Sequence, residues 1–370
     1  MHADFIVIGG GIAGASVAYE LSRTASVLVL EGESQPGYHS TGRSAALFSE
    51  IYGNAAVRAL SRASREFLST PPPAFATNAL LKPRGSLFVA SADQIEAFEL
   101  LQDAPDVAQH TRPLTAAEAQ QLVPIIRDEW LALTMLEEGS QDVDVHALHQ
   151  GYLRGMKERR ASVVSAALVQ SIVRRENKWH VTAAGQQFEA PVVINAAGAW
   201  ADEIAKLAGV RPVGLEPRRR TALLIDAPAG TSIDRWPMVL DVGDTFYFKP
   251  DAGRLLLSPA DETPSPPCDV QPDDLDVAIA VDRFEQATTV SVERVRHQWA
   301  GLRSFVSDRS PVIGFDSQVE GFFWLAGQGG YGIQTAPAAG RLATALLTHQ
   351  EPAPEVASFV PGLSPGRLQR

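Results

Sequence analysis

Gly9, Gly11 and Gly14 stand at the spacing G-x-G-x-x-G, directly after the apolar run "FIVI" and ahead of small helix-forming residues. That spacing suits phosphate binding by bare backbone. The first glycine permits a tight turn, the second lets main chain approach a pyrophosphate, and the third lets the following helix pack on the strand. Ile12 and Ala13 open that helix, so its N–H groups and positive dipole end face the phosphates. Glu31 follows about twenty residues on, closing the run "VLVL", where a carboxylate takes both ribose hydroxyls. The set reads as a site for an ADP moiety; a plain glycine-rich turn is the alternative. An acid at Glu31 disfavours a 2'-phosphate, which leaves NAD and FAD.

Later stretches favour FAD. "GYHSTGRSAA" (37–46) brings His39, Ser40, Thr41, Arg43, Ser44 and Ala45, small residues and hydroxyls with one guanidinium, suited to run beside a long extended cofactor. "NAAGAWA" (195–201) contains Ala197, Gly198 and Trp200, and "AGQGGYGIQT" (326–335) contains Gly329, Tyr331, Gly332, Ile333, Gln334 and Thr335. Small-residue turns at helix N-termini would place donors near the anionic edge of a reduced flavin. The plainer reading of these glycines is domain packing. No second G-x-G-x-x-G is expected in the chain for NAD(P)H, so a flavin here takes its electrons directly from an organic substrate.

Elements must hold these residues in place, and 370 residues exceed one compact core. The N-terminal forty parse as strand 4–9, helix from about Ala13 to Ser22, and strand Val27 to Glu31, half of a doubly wound sheet. A helix is expected near Ala55 to Leu68, stopped by "STPPPAF". Beyond Leu80 come short strands ("GSLFVAS", "LALTML") and a short helix ("TAAEAQQLV"). Asp142 to Arg160 reads as an amphipathic helix after an acidic cap, leading into a β-meander through "KWHVTAAGQQFEAP". "VVINAAGAWADEIAKLAG" and "FFWLAGQGGYGIQTAPAAGRLATALL" are again strand, turn and helix, and the chain returns through them to the first sheet. Residues 216–303 read as strand-rich with breaks such as "DETPSPPCDV". The expectation is an α/β protein of two interwoven domains: a nucleotide-binding domain from 1–78, 141–215 and 304–370, and a substrate domain from 79–140 and 216–303.

Composition narrows the partners. A net charge of -11 argues against nucleic acid and against anionic membrane surfaces. A single cysteine, Cys268, excludes an intrachain disulfide and a Cys-x-x-Cys redox pair, and points to the cytoplasm. Eight scattered histidines show no ligand spacing, so no metal site is expected. No apolar stretch reaches the roughly 18 residues of a membrane span.

In order along the chain, "QPGYHSTGRSAA", "LHQGYLRG", "INAAGAW", "FYFKPDAG", "WAGLRSF" and "QGGYGIQT" resemble the FAD-dependent D-amino-acid oxidase superfamily, and within it most the bacterial catabolic D-arginine dehydrogenases. The likeness runs from residue 4 to the tail "LSPGRL". It implies an FAD-binding Rossmann-like domain of the glutathione-reductase type, interleaved with a smaller α+β domain on a mostly antiparallel sheet. It also implies oxidative deamination of an amino acid, with FAD held non-covalently and electrons passed to an unidentified acceptor such as a quinone. Arg220 and Tyr247 match residues that hold the substrate carboxylate, Tyr52 one that covers the pocket, and Arg303 an arginine at the substrate and flavin edge. Gly330 matches a carbonyl that accepts from the substrate amine, and Gln334 and Thr335 match flavin contacts. Leu47, Ser49, Ser86, Met238 and Leu240 fall at the side-chain pocket.

Two departures bear on selectivity. The arginine-preferring relatives carry a glutamate where this chain has Ser86, and a histidine where it has Leu47. A cationic side chain left without a charged partner in a partly desolvated pocket costs several kcal/mol, so neutral, apolar side chains are favoured. The residues themselves leave alternatives. Arg220 ends the run Arg218 to Arg220 and reads equally as a solvated face; Arg303 reads also as a partner of Asp308, and Tyr247 as core. His39 is read as a loop residue packing near phosphate, His146 and His149 as surface or packing groups on a helix, and nothing forces His297 into the pocket. Rival functions are an oxidase using oxygen, an enzyme for secondary or N-substituted amines, and a flavin-binding assembly protein without turnover.

Overall fold

The run Phe5–Ile8 is a central strand of a six-stranded sheet. In the computed structural model, which describes residues 1–159 and 161–368, it pairs in parallel with Val27–Leu30 and with Val192–Asn195. The order across the sheet is Val312–Phe315, Phe322–Ala326, Val192–Asn195, Phe5–Ile8, Val27–Leu30, Ala161–Val164, with only the first pair antiparallel. Alternate residues of a strand face opposite sides. Val7, Val29, Ile194 and Leu325 pack beneath the helices Ile12–Leu21 and Gly332–Leu347. Ile6, Leu28, Val193 and Trp324 pack the other way, against a three-stranded meander spanning 169–190 and the helix Ala201–Leu207. Both faces are covered, which is why these strands read as unbroken apolar runs.

A second, nine-stranded sheet draws on Ser86–Ala90, Arg112–Leu114 and Leu133–Glu137 and on strands between Glu216 and Phe305. It is antiparallel except where Met238–Asp241 runs beside Ser86–Ala90. Its longest ladder joins Glu216–Asp226 to Val295–Phe305. On the face away from the first sheet, Phe246 and Phe248 stack with centroids 6.4 Å apart, and Phe284 meets Phe248 edge-on at 5.2 Å. Phe284 belongs to a helix, Asp274–Ala287, inside a stretch the sequence suggested was strands and breaks. Asp273 caps that helix through the Leu275 N–H at 3.0 Å, and Ala280, Phe284 and Ala287 recur at helical spacing on its buried side.

A second correction concerns the helix expected from Asp142. It runs Val145–Lys157 with Asp144 as its cap, accepting from the Ala147 N–H at 2.8 Å, and the expected end at Arg160 lies outside the described residues. Gln141–Val143 is instead a strand paired with Leu47–Phe48 and Leu81–Pro83. Asp142 is held there by Arg84 at 2.6 Å and Lys249 at 2.7 Å, partners that a local pattern does not reveal. The helix Ala55–Ser69 forms as its sequence suggests, capped by Asn54. Among the described residues no helix is long and apolar enough to cross a membrane, and no His/Cys/Asp/Glu group is placed to hold a metal ion.

Candidate active site

The glycine turn is as tight as its residues allow. Gly9 has φ 104°, and a Cβ there would stand 2.4 Å from the Ala196 carbonyl oxygen; one on Gly14 would stand 1.9 Å from the carbonyl oxygen of Gly9 itself. Bare backbone at both positions lets the helix Ile12–Leu21 rest on the strand ends. Its first turn carries no acid, so the positive end of its dipole is left open, and the Ile12 N–H donates to Thr41 Oγ1 at 3.0 Å. Glu31 closes the neighbouring strand and accepts from the Gly10 N–H at 2.7 Å and the Glu33 N–H at 2.8 Å. His149, buried, lies with Nε2 2.8 Å from the Gly10 carbonyl oxygen, a packing role. Burial holds its imidazole below the ordinary histidine range.

From this turn a cavity runs between the two sheets. Gly11, Ile12, Ala13 and Thr41 wall its first end. Ser40, Arg43, Ser44 and Ala45 line its side, with Gly198 across from them. That side is pinned to the second sheet: Ser40 Oγ donates to the Leu302 carbonyl at 2.6 Å, and Arg43 Nη1 to those of Val270 at 2.9 Å and Ala300 at 3.1 Å. Arg43 also pairs with Asp269. Gly329, Gly330, Gly332 and Ile333 form the far end. Gly9, Gly14, Glu31, His39, Ala197, Trp200, Tyr331 and Thr335, also read from the sequence as cofactor-binding, are not among the residues that line it. His39, for instance, lies 2.9 Å from Glu33 and packs on the Trp200 ring at 4.6 Å. Thr335 donates to the Tyr331 carbonyl one helical turn back.

At the far end the second sheet contributes Arg220, Tyr247 and Arg303. The pleat turns Arg219 away from Arg218 and Arg220. Arg219 pairs with Asp276 at 2.6 Å, Arg218 with Glu216 at 3.0 Å, and Arg220, only 6% exposed, lines the cavity, so the solvated-face alternative fails for it. Its Nη2 donates to Glu262 at 3.2 Å and lies 3.9 Å from Asp244, while its buried Nε has no partner. Tyr247 sits between Phe246 and Phe248 in the chain; they face the far core, so it faces the cavity. Arg303 donates to Tyr52 Oη at 3.2 Å. The alternative pairing with Asp308 is overturned, because Arg367 binds that carboxylate at 2.7 Å. Tyr52 packs on Tyr331 at 4.9 Å. His297 is exposed, stacked on Trp299 at 5.4 Å.

A model of the family "FAD dependent oxidoreductase" (DAO) matches residues 4–346. The chain belongs to the DAO family of FAD-dependent oxidoreductases. Among curated relatives of this DAO chain, FAD-dependent oxidoreductase domain-containing protein 1 of Bos taurus is 25% identical over 94% of the chain and 81% of its own length. The glycine oxidase of Geobacillus kaustophilus is 24% identical over 96% of each. Among solved structures, the L-proline dehydrogenase from P.horikoshii superposes with a TM-score of 0.85 at 22% identity, over 100% of this chain and 98% of that one.

FAD is the cofactor of this DAO chain, and the cavity walls fit it. Gln328 lines the cavity, and its buried Nε2 has no partner within the protein, a donor left for a bound group. Gly198, with φ 56°, has open space where a Cβ would stand. Sequence reading passed over one recurrence here: Gly327, Gly329 and Gly332 repeat the G-x-G-x-x-G spacing at the turn after Phe322–Ala326. Gly329 and Gly332 of this repeat line the same cavity as the first glycine turn.

A side pocket opens from the Arg220 end. Leu47, Phe88, Met238 and Leu240 make it apolar, and Ser49 and Ser86 add two hydroxyls. Tyr52 and Gln334 reach its wall, and Gln334 accepts from the Ser49 N–H at 3.0 Å while donating to Ser61 at 2.7 Å. Asp244, Glu262, Glu137 and Gln328 were all missed from sequence. Asp244 lines this pocket with its side chain largely exposed, 3.9 Å from Arg220. At Glu262 desolvation is outweighed by Arg309, Arg220 and Arg218, which hold that carboxyl low. Glu137, 1% exposed, lies behind Ser49, and burial raises it to about 7. Its one signal in the sequence is an acid ending an otherwise apolar strand.

Proposed function

We propose that this chain is a dehydrogenase of D-amino acids with uncharged side chains, yielding the imino acid and, after hydrolysis, the 2-oxo acid and ammonia. The observation that carries the reading is Arg220: a buried guanidinium in the cavity wall with an unpartnered Nε, beside Tyr247 and Arg303. A buried charged donor without a partner is costly, and a substrate carboxylate binding the fork in a bidentate pair would satisfy it, contributing roughly 1.5 to 3 kcal/mol. Tyr247 adds a hydroxyl donor to the carboxylate. Gly330, lying against Arg303 and the Tyr52 hydroxyl, presents its carbonyl to the amine. Carboxylate and amine held together fix the direction of the Cα–H bond, which is the main kinetic contribution the protein makes. Bound FAD supplies the acceptor for the hydride that leaves Cα. The substrate amine loses its proton to solvent, so no side chain is assigned as general base.

Side-chain preference follows from the pocket walls. Leu47, Met238 and Leu240 favour hydrocarbon, and Ser86 offers no charge to a cation. The carboxylate in that wall, Asp244, already faces Arg220 at 3.9 Å. D-arginine and D-lysine are therefore poor substrates in this reading. Oxidation of secondary or N-substituted amino acids is a second reading, favoured by the likeness to a glycine oxidase and an L-proline dehydrogenase.

Anaerobic mixing of the holoenzyme with D- and L-amino acids, sarcosine and proline, followed by loss of oxidised flavin absorbance, tests both readings. Bleaching by D-leucine or D-methionine, and poorly by D-arginine, supports the first. Bleaching by sarcosine or proline alone supports the second. If none bleaches the flavin, both fail. Peroxide formed during turnover in air identifies an oxidase.

A further inference from the structure

Ser86 and Glu137 are direct partners in the antiparallel pair of Ser86–Ala90 with Leu133–Glu137, so their side chains share one face of the sheet. An acid is thus supplied beside residue 86 by the neighbouring strand. Its carboxylate does not line the pocket. One oxygen accepts from Ser49 Oγ at 2.8 Å and the other from the Glu50 N–H at 2.9 Å.

A serine hydroxyl has one proton and two lone pairs. When Glu137 is ionised, Ser49 gives its proton to that carboxylate; one lone pair takes the Ile51 N–H at 3.4 Å, and what remains toward the pocket is acceptor only. Ser86 shares a 2.7 Å contact with Ser140 in which either hydroxyl can donate, and in either case it keeps a free lone pair. Among Leu47, Phe88, Met238 and Leu240 the Ser49 hydroxyl is then set as an acceptor by the carboxylate behind it; Ser44, Tyr52 and Tyr247 also bring hydroxyls to the pocket.

We infer that Glu137 is a specificity-determining positioning residue: through Ser49 it makes the pocket floor a hydrogen-bond acceptor, selecting substrates whose uncharged side chains end in an N–H or O–H donor. Carboxamide, hydroxyl and indole side chains meet that requirement. A cationic side chain does not reach the carboxylate, because both oxygens are already taken. This rests on the amino-acid reading above and narrows its substrate class. A site built to pair with a substrate donor discriminates against the isostere that lacks it, since its own polar groups are then left unpaired.

The test uses two isosteric pairs, D-threonine with D-valine and D-asparagine with D-leucine, in anaerobic flavin reduction by the holoenzyme on the alkaline side of neutrality, where Glu137 is ionised. The wild type is expected to favour the donor-bearing member by at least about tenfold in each pair. In Glu137→Gln the amide donates to Ser49 and releases its proton toward the pocket, and the ratios should fall to near one or invert. A structural role alone would lower both members together and leave the ratio intact; that result overturns the inference, as does a wild type that reduces no faster with the donor. If Glu137→Gln does not retain flavin, Ser49→Ala serves instead, with a several-fold loss of the same ratio expected and an unchanged ratio counting against the inference. Bleaching by D-leucine without any donor preference sinks this inference alone, whereas no bleaching by any amino acid sinks the amino-acid reading and this with it.

Discussion

Arg303 spends one guanidinium proton on the hydroxyl of Tyr52, 3.2 Å away, although the two residues lie 251 positions apart in the chain. The contact joins the loop after the first sheet's opening strands to the longest ladder of the second sheet. It also fixes a ring in the wall of the side pocket, packed against Tyr331.

Tyr52→Phe keeps that ring and removes the contact to Arg303. One hydrogen bond to a charged group is worth roughly 1.5 to 3 kcal/mol, so apparent substrate affinity should weaken about tenfold or more. The dependence of the flavin-reduction rate on D-leucine concentration measures it. An unchanged half-saturation point would mean that Tyr52 does not position Arg303.

Arg220→Lys preserves charge and loses the fork. Since a bidentate carboxylate pair cannot form on an ammonium, kcat/KM should fall on the order of a hundredfold, about 3 kcal/mol. Flavin content should stay near that of the wild type. Equal kcat/KM in the variant would remove Arg220 from substrate binding.

Gly14→Ala places a methyl group 1.9 Å from the Gly9 carbonyl oxygen, a position backbone must vacate. The helix Ile12–Leu21 then lifts from the strand end, and purified protein should carry little FAD. The ratio of flavin to protein absorbance reads this directly. A full complement of flavin would show that the turn tolerates the shift.

Glu137 makes stability depend on pH. Burial raises its carboxyl from 4.5 to about 7 in the folded protein, despite the Ser49 and Glu50 contacts and the nearby Arg65, so the folded state binds the proton more tightly than the unfolded chain. That contribution is fully present below about 4.5 and is lost as pH rises through about 7. The difference amounts to about 3 kcal/mol. Melting temperatures of wild type and Glu137→Gln across pH 5 to 8 should therefore show a decline in the wild type that is shallower in the variant. Parallel curves would remove Glu137 as its source.

Features whose cause is local were legible in the residues alone. Gly9 and Gly14 announce a turn because only a residue without Cβ survives there, and the first strand, helix and strand follow within a residue or two of their apolar patterns. The helix Ala55–Ser69 and the late Phe322–Ala326 strand with its helix were legible for the same reason. The resemblance of later motifs named the family, but pattern alone left Arg220, Tyr247 and Arg303 with ordinary structural alternatives.

Contacts between distant strands resolve those alternatives. Period-two alternation places Arg218 and Arg220 on one face and Arg219 on the other, but which face is buried depends on a ladder to residues 295–305. Asp308 stood open as a partner of Arg303 until Arg367, 59 residues away, was seen to occupy it. Asp142 looked like a helix start because its partners, Arg84 and Lys249, lie on other strands. Glu137 was invisible as a site residue for the same cause: its meaning comes from Ser49, 88 residues earlier, and from the register that sets it against Ser86. Spacing along a chain encodes backbone conformation over a few residues, whereas the partner of a buried charge is chosen by the packing of distant strands.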